Sequence, residues 1–204
     1  SSVISKNEKE IVAVHESGDA LLTLLLMGTT EQLHKVSIIP RGTQALGYTL
    51  HLPFEDRYLI SEKEMYDKIT VLFGGRVAEE IVFKSITSGA HNDLEVATDY
   101  AQRMVCEFGM SRKLGHLTFG KKDRQVFLGR YFMRERDYSE STAIMIDEEV
   151  RRIVDECYKK AAELLKSNED KLRKVSARLL EKEVLDSEEV KQLIGMNGLP
   201  PAQS

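Results

Sequence analysis

Apolar residues recur at helical spacing over most of the chain, and polar capping residues mark where helices should begin. Ser5 followed by Glu8 is a capping-box pattern, which predicts a helix that runs to about Met27. Gly28, directly after it, is expected to break the helix. The first helix is therefore predicted from three features together: a capping box at its start, apolar residues at helical spacing and a glycine at its end.

A second capping-box pattern, Ser61 with Glu64, predicts another helix that extends to roughly Phe83. Gly74 and Gly75 fall inside this predicted helix. Because glycine lowers helix stability, the pair indicates close packing of the helix against another element.

Two strands are predicted between these two helices, and a third helix is predicted after them. Residues 36–39 and 47–52 are predicted as strands joined through a turn at 40–42. After a loop at 87–90, Asn92 or Asp93 is expected to cap a helix that reaches about 108 and that Gly109 ends.

The second half of the chain is predicted to be mostly helical. Residues 110–138 are less periodic and are interpreted as a long surface loop with room for one short strand. Helices are then predicted at 139–165, at 168–183 and from 187 onward. The expected fold class is mainly α, with a small β-sheet or hairpin.

A shift in composition near position 135 suggests how the chain is organised. Residues 1–135 hold the candidate chemistry, residues 136–196 are expected to form an all-helical part, and residues 197–204 are expected to be a disordered tail. The first residue is Ser1 rather than methionine, which suggests a fragment cut from a longer protein.

Composition narrows the possible functions of these 204 residues. A formal net charge of -4 gives no electrostatic case for binding nucleic acid or an anionic membrane. The apolar run from Leu21 to Met27 is too short to span a bilayer, and there is no signal peptide or phosphate-binding loop. Cys106 and Cys157 lack metal-ligand spacing and are expected to be buried thiols.

The most informative motif is the pentapeptide His15-Glu16-Ser17-Gly18-Asp19. It reads as the zinc-protease helix motif H-E-x-x-H with its last histidine replaced by aspartate. In the intact motif, two histidines on one helical face bind Zn²⁺ and the glutamate acts as general base.

A catalytic zinc site needs three protein ligands, so a third must come from elsewhere in the chain. On chemistry alone the candidates are Glu79, Glu80, His91 and Asp93. H-E-x-x-D by itself is a weak signal, and the polar face of an amphipathic helix is its more common interpretation.

Further segments raise the specificity of the motif. Residues 13–20 read A-V-H-E-S-G-D-A, where the FtsH family of membrane-anchored AAA+ zinc metalloproteases reads A-x-H-E-A-G-H-A. The other matching segments are 34–42, 45–49, 74–80, 88–94, 97–98 and 127–130. The chain therefore resembles the protease domain of the FtsH family over essentially its whole length.

The resemblance implies a role for each matched residue. His15 would be the first zinc ligand, Glu16 the catalytic base and Asp93 the third ligand, while Asp19 falls on the second ligand position. Glu79 is a candidate for orienting a ligating histidine. For Glu79 and its neighbour Glu80, an ion pair with Arg76 or another base is an equally good alternative.

The resemblance also implies substrates and partners. The strand residues Gly47, Tyr48, Thr49 and Leu50 would form an edge that pairs with an extended, unfolded protein substrate; an ordinary hairpin strand is the alternative. The family implies a homo-hexamer that uses ATP only through an AAA+ module absent from this chain. It also implies a membrane anchor in a bacterial inner or organellar membrane, with this domain on the cytoplasmic side.

Among the three ligand positions, only position 19 differs from the family pattern. Aspartate reaches less far than histidine and adds negative charge, so weaker zinc binding and impaired catalysis are expected. The alternative function is an inactive oligomerisation or assembly module with a vestigial metal site. A helical binding protein without a metal site is disfavoured by the matched segments.

Overall fold

The computed structural model describes residues 5–28, 33–40, 48–51, 59–122, 126–127, 130–131 and 134–196. Most of them are helical, which confirms the predicted mainly α fold. The helices are α1 Lys6–Met27, α2 Glu62–Leu72, α3 Gly74–Phe83, α4 His91–Cys106, α5 Glu140–Ser167, α6 Glu169–Lys182 and α7 Ser187–Leu193. None of the described helices is both long and apolar enough to cross a membrane.

Helix α1 is the central helix of the core. The predicted capping box is present: Ser5 Oγ accepts from the Glu8 amide at 3.2 Å, and Glu8 Oε2 accepts from the Ser5 amide at 3.3 Å. The C-terminal half of the helix is apolar on several faces and packs against α2, α3, α5 and α6. A helix that is apolar around its circumference belongs in the interior.

The predicted helix from 61 to 83 is wrong in one respect, because the chain forms two helices there. Helix α2 ends at Leu72, the amide of the next residue, Phe73, donates to the Thr70 carbonyl oxygen, and α3 begins at Gly74. The break redirects the chain so that the start of α3 packs against α1. A Cβ on Gly74 would lie 2.8 Å from the Gly18 carbonyl oxygen, so the predicted close packing at the glycine pair is confirmed.

A small antiparallel sheet packs against α1. Its strands are β2 Tyr48–His51, β1 Leu33–Ser37 and β7 Val184–Asp186, in that order. Val36 lies opposite Thr49 on one side and Leu185 on the other. The β1–β2 pairing confirms the predicted hairpin strands, whereas β7 adds a strand to a C-terminal part predicted to be all-helical.

Residues 110–138 contain more strand than predicted. Two-residue strands pair as β3 Lys121–Lys122 with β6 Arg134–Glu135, and as β4 Val126–Phe127 with β5 Arg130–Tyr131. Cys106 and Cys157 are buried free thiols, as expected.

The division near position 135 stays a prediction. Buried residues from both sides of it join one apolar cluster, which includes Leu21 of α1 and Leu172 of α6. The expected tail at 197–204 and the edge-strand residue Gly47 lie outside the described residues.

Candidate metal centre

Helix α1 places His15 and Asp19 on one face, one turn apart. His15 Nε2 lies 3.9 Å from Asp19 Oδ2. Both side chains are largely buried, and only 8% of His15 is exposed. The spacing of the pentapeptide thus brings a nitrogen and an oxygen donor side by side.

Helix α4 brings Asp93 to the same point. A 3₁₀ turn at Ser88–Ala90 leads directly into α4, which begins at His91 rather than at the predicted Asn92 or Asp93. Asp93 lies in the first turn of α4, where a carboxylate is favoured by the helix dipole. Its Oδ2 is 3.6 Å from His15 Nε2.

The three side chains form the one potential metal-binding group found among the described residues. The donor atoms of His15, Asp19 and Asp93 all lie within 4.8 Å of one another. Ligand atoms about 2.0–2.1 Å from a tetrahedral zinc would be roughly 3.3 Å apart, close to the two separations measured from Nε2. The donor set and its spacing therefore fit a divalent cation.

The other nitrogen of His15 is held by Glu79. His15 Nδ1 lies 2.8 Å from Glu79 Oε2, and the Thr87 hydroxyl donates to Glu79 Oε1 at 2.6 Å. An ionised carboxylate can only accept, so Nδ1 donates to Glu79, and Nε2 is the nitrogen that would bind a metal ion in place of its proton.

Helix α3 packs directly against the imidazole ring of His15. A Cβ on Gly75 would lie 2.3 Å from Cε1 and Nε2 of His15, which is closer than any real contact. Gly75 therefore lets the α3 backbone lie against the ring, and a larger residue would displace the ring.

Asp19 is held by the same helix. Its Oδ1 accepts from the Gly75 amide at 2.9 Å, an amide in the first turn of α3 that has no partner within its own helix. Its Oδ2 faces His15. One oxygen of Asp19 thus binds a helix terminus while the other faces the donor cluster.

Burial and the carboxylates around His15 together determine the pKa values in the cluster. Burial raises the pKa of Asp19, and repulsion from Asp93 raises it further. Burial lowers the pKa of His15, but hydrogen bonds to Asp93 and Glu79 outweigh it and raise the pKa to about 11. Burial raises the pKa of Glu79, yet its bonds to His15 and Thr87 bring it below the ordinary value.

The other residues predicted from the sequence differ in whether they lie near the donor cluster. Glu16 is buried beside His15 on α1, with 8% exposed. Glu80 instead accepts a hydrogen bond from the Tyr158 hydroxyl, and His91 is exposed. The backbone of Tyr48, Thr49 and Leu50 lies in β2, which contacts α1.

Sequence reasoning missed Thr87. Thr87 lies outside the helices, as predicted, but its contacts were not predicted: its hydroxyl donates to Glu79 and accepts from the Gly89 amide at 3.2 Å, capping the 3₁₀ turn. A threonine just before S-G-A, at the start of a helix, was the available signal.

Comparison with known proteins identifies relatives of the chain. The profile described as peptidase family M41 matches residues 2–193. The chain is 49% identical over 194 residues to the ATP-dependent zinc metalloprotease FtsH of Thermotoga maritima, covering 95% of this chain and 32% of that protein. It is 51% identical over 201 residues to the FtsH of Bacillus subtilis, covering 98% of this chain and 31% of that protein. The chain spans about a third of the length of these relatives. From the profile match and these identities, the chain belongs to peptidase family M41.

Proposed function

We propose that this chain is the zinc-dependent endopeptidase domain of a larger, FtsH-like ATP-dependent protease. The observation that carries the proposal is the convergence of His15, Asp19 and Asp93, whose donor atoms lie within 4.8 Å of one another. The names of the relatives, all ATP-dependent zinc metalloproteases, support it.

Each residue has a defined part in peptide hydrolysis. His15 Nε2 and one oxygen each of Asp19 and Asp93 would hold the zinc ion. Zinc, when bound, supplies Lewis acidity at the scissile carbonyl and makes water a better nucleophile at neutral pH. Glu16 takes the proton of the attacking water and passes it to the departing amine. Glu79 fixes the ring orientation of His15.

The replacement at position 19 lowers the activity of this chain. With Asp19 and Asp93 both binding, two negative charges would face the ion in place of one, and zinc would be a weaker Lewis acid. The hydrogen bond from the Gly75 amide leaves one oxygen of Asp19 directed at His15. This proposal predicts reduced rather than abolished zinc binding.

The larger protein would provide what this chain lacks. An AAA+ module would use ATP to deliver unfolded proteins, a homo-hexamer would enclose the sites, and a membrane segment would anchor the assembly with this domain on the cytoplasmic side. The strand β2 would pair with the extended substrate, since among the described strands it pairs only with β1.

Zinc titration of the chelator-treated chain, followed by cleavage of casein and of a short unfolded peptide, tests the proposal. We expect one zinc site that His15→Ala abolishes, and slow cleavage that Glu16→Gln abolishes. Asp19→His should bind zinc more tightly and cleave faster. Zinc binding that is unaffected by His15→Ala would disprove the site, and equal cleavage rates for wild type and Asp19→His would disprove the impairment.

An inactive assembly module is the second candidate. What favours it is the bond of Asp19 to the Gly75 amide, which gives this aspartate a structural role that needs no metal. It predicts an intact fold and stable self-association with neither zinc binding nor cleavage in the same titration.

A further inference from the structure

Thr87 lies between α3, which carries Glu79, and the 3₁₀ turn that leads into α4 and Asp93. Its hydroxyl donates to Glu79 Oε1 at 2.6 Å, and the other oxygen of Glu79 lies 2.8 Å from His15 Nδ1. Glu79 is 1% exposed, so its carboxylate depends on these protein partners rather than on bulk water.

The same hydroxyl oxygen also fixes the approach to Asp93. It accepts from the Gly89 amide at 3.2 Å and so caps the 3₁₀ turn Ser88–Ala90, which continues into α4. Gly89 packs against the histidine–glutamate pair, because a Cβ there would lie 3.9 Å from both His15 Nδ1 and Glu79 Oε2.

We propose that Thr87 is a positioning residue that couples the orientation of His15 to the placement of Asp93; the inference rests on the proposed metal site. Without the hydroxyl, Glu79 Oε1 would lose its donor inside the protein, and the carboxylate would turn to find another. His15 Nδ1 would then lose a fixed acceptor, while the turn before Asp93 would lose its cap.

The surroundings of Thr87 make the inference testable without unfolding the protein. Thr87 is exposed, so valine at this position leaves no cavity in the core. Thr98 is a matched control on α4: it is also exposed, and its hydroxyl bonds to the Leu94 carbonyl oxygen of its own helix.

The measurement is the zinc dissociation constant, obtained by competition with a chromogenic chelator, together with the thermal midpoint of the metal-free protein. We expect Thr87→Val to weaken zinc binding about tenfold, the lower end of the effect of partners beyond the ligands. Thr87→Ser should restore the wild-type affinity, and Thr98→Val should leave it unchanged. Thr87→Val should melt below Thr98→Val because it loses the cap of the 3₁₀ turn, and both metal-free proteins should be fully folded at the temperature of the zinc measurement.

A double-mutant cycle with Glu79→Ala identifies the route of the effect. The part of the effect that runs through Glu79 is already lost in the Glu79→Ala background, so Thr87→Val should weaken zinc binding less there than in wild type, and the remainder reports the lost cap of the turn before Asp93. An undiminished effect of Thr87→Val in that background would overturn the coupling through Glu79. Equal zinc affinity in wild type, Thr87→Val and Thr98→Val would overturn the inference alone. Wild-type protein without a zinc site that depends on His15 would overturn the proposed function and the inference together.

Discussion

The carboxylate of Asp19 and the amide of Gly75 form a 2.9 Å hydrogen bond between α1 and the first turn of α3. The second oxygen of the same carboxylate lies 3.9 Å from His15 Nε2. The residue at this position therefore affects both the packing of two helices and the donor set of the candidate metal centre. Substitutions can separate these two roles.

Asp19→Asn and Asp19→Ala should differ in stability when metal is removed. Asparagine keeps an oxygen acceptor for the Gly75 amide and relieves the repulsion between Asp19 and Asp93. Alanine leaves that amide without its partner, at a cost of about 1–2 kcal/mol in the free energy of unfolding. Urea denaturation in the presence of a chelator should rank asparagine above alanine; equal midpoints would show that the bond contributes nothing.

Gly75→Ala should damage the metal centre more than the fold. Its Cβ would lie 2.3 Å from the His15 ring, so the ring must leave the position in which its Nε2 lies 3.6 Å from Asp93 Oδ2. We expect zinc affinity to fall by at least about tenfold, as for other changes that disturb ligand orientation. Gly28→Ala, at the far end of α1, serves as the control and should retain wild-type affinity. A Gly75→Ala protein with wild-type affinity would show that the ring has room that the structure does not indicate.

Glu149→Gln should reduce stability at neutral pH and lose its effect in acid. Glu149 accepts from Arg152 Nε at 2.7 Å and from the Ser111 hydroxyl at 2.6 Å. The hydrogen bond from Arg152 is the main cause of its lowered pKa. A carboxyl whose pKa is lower in the folded state stabilises the fold above its unfolded pKa and loses that contribution as pH falls through the folded pKa.

The expected difference between wild type and Glu149→Gln is therefore about 2 kcal/mol at pH 7, shrinking steadily below about pH 4. Glu148→Gln is the matched control, because Glu148 is exposed and pairs with Lys113 at 3.2 Å. Its effect should stay within about 0.5 kcal/mol. A pH-independent difference for Glu149→Gln would rule out the charge as its cause.

Leu185→Ala should destabilise the protein through the sheet. Leu185 is fully buried and lies opposite Val36 of β1. Removing a buried leucine side chain costs about 2–5 kcal/mol. Leu180→Ala, at a 37% exposed position on α6, should cost far less. Guanidinium unfolding of both variants checks the prediction, and similar losses would place Leu185 outside the core.

An element could be predicted from the sequence where residues close together in the chain determine it. The start of α1 follows from Ser5 and Glu8, whose side chains bond to each other's backbone amides. The break at Phe73 could not be predicted, because it depends on the approach of α3 to Gly18 on another helix. The three residues of β7 carry too short a pattern, and their pairing with β1 is set by tertiary contacts.

The candidate site shows the same division. The spacing of His15 and Asp19 places both on one helical face whatever the rest of the fold, whereas chemistry alone left Asp93 among several possible third ligands. The resemblance selected Asp93, and its oxygen lies 3.6 Å from His15 Nε2. The role of Thr87 depends on a contact between segments that sequence spacing does not reveal.

The order of the small sheet has a mechanical consequence. Strand β1 lies between β2 and β7, so hydrogen bonds connect β2 through β1 to residues 184–186. If a substrate pairs with β2 as proposed, an AAA+ module that pulls on that substrate would exert a force on these strands along their length. This shear force would act on several backbone hydrogen bonds at once. Strand β7 would share it with the helices on either side, α6 and α7. The C-terminal helices would then act as the anchor that keeps the substrate strand in register while force is applied.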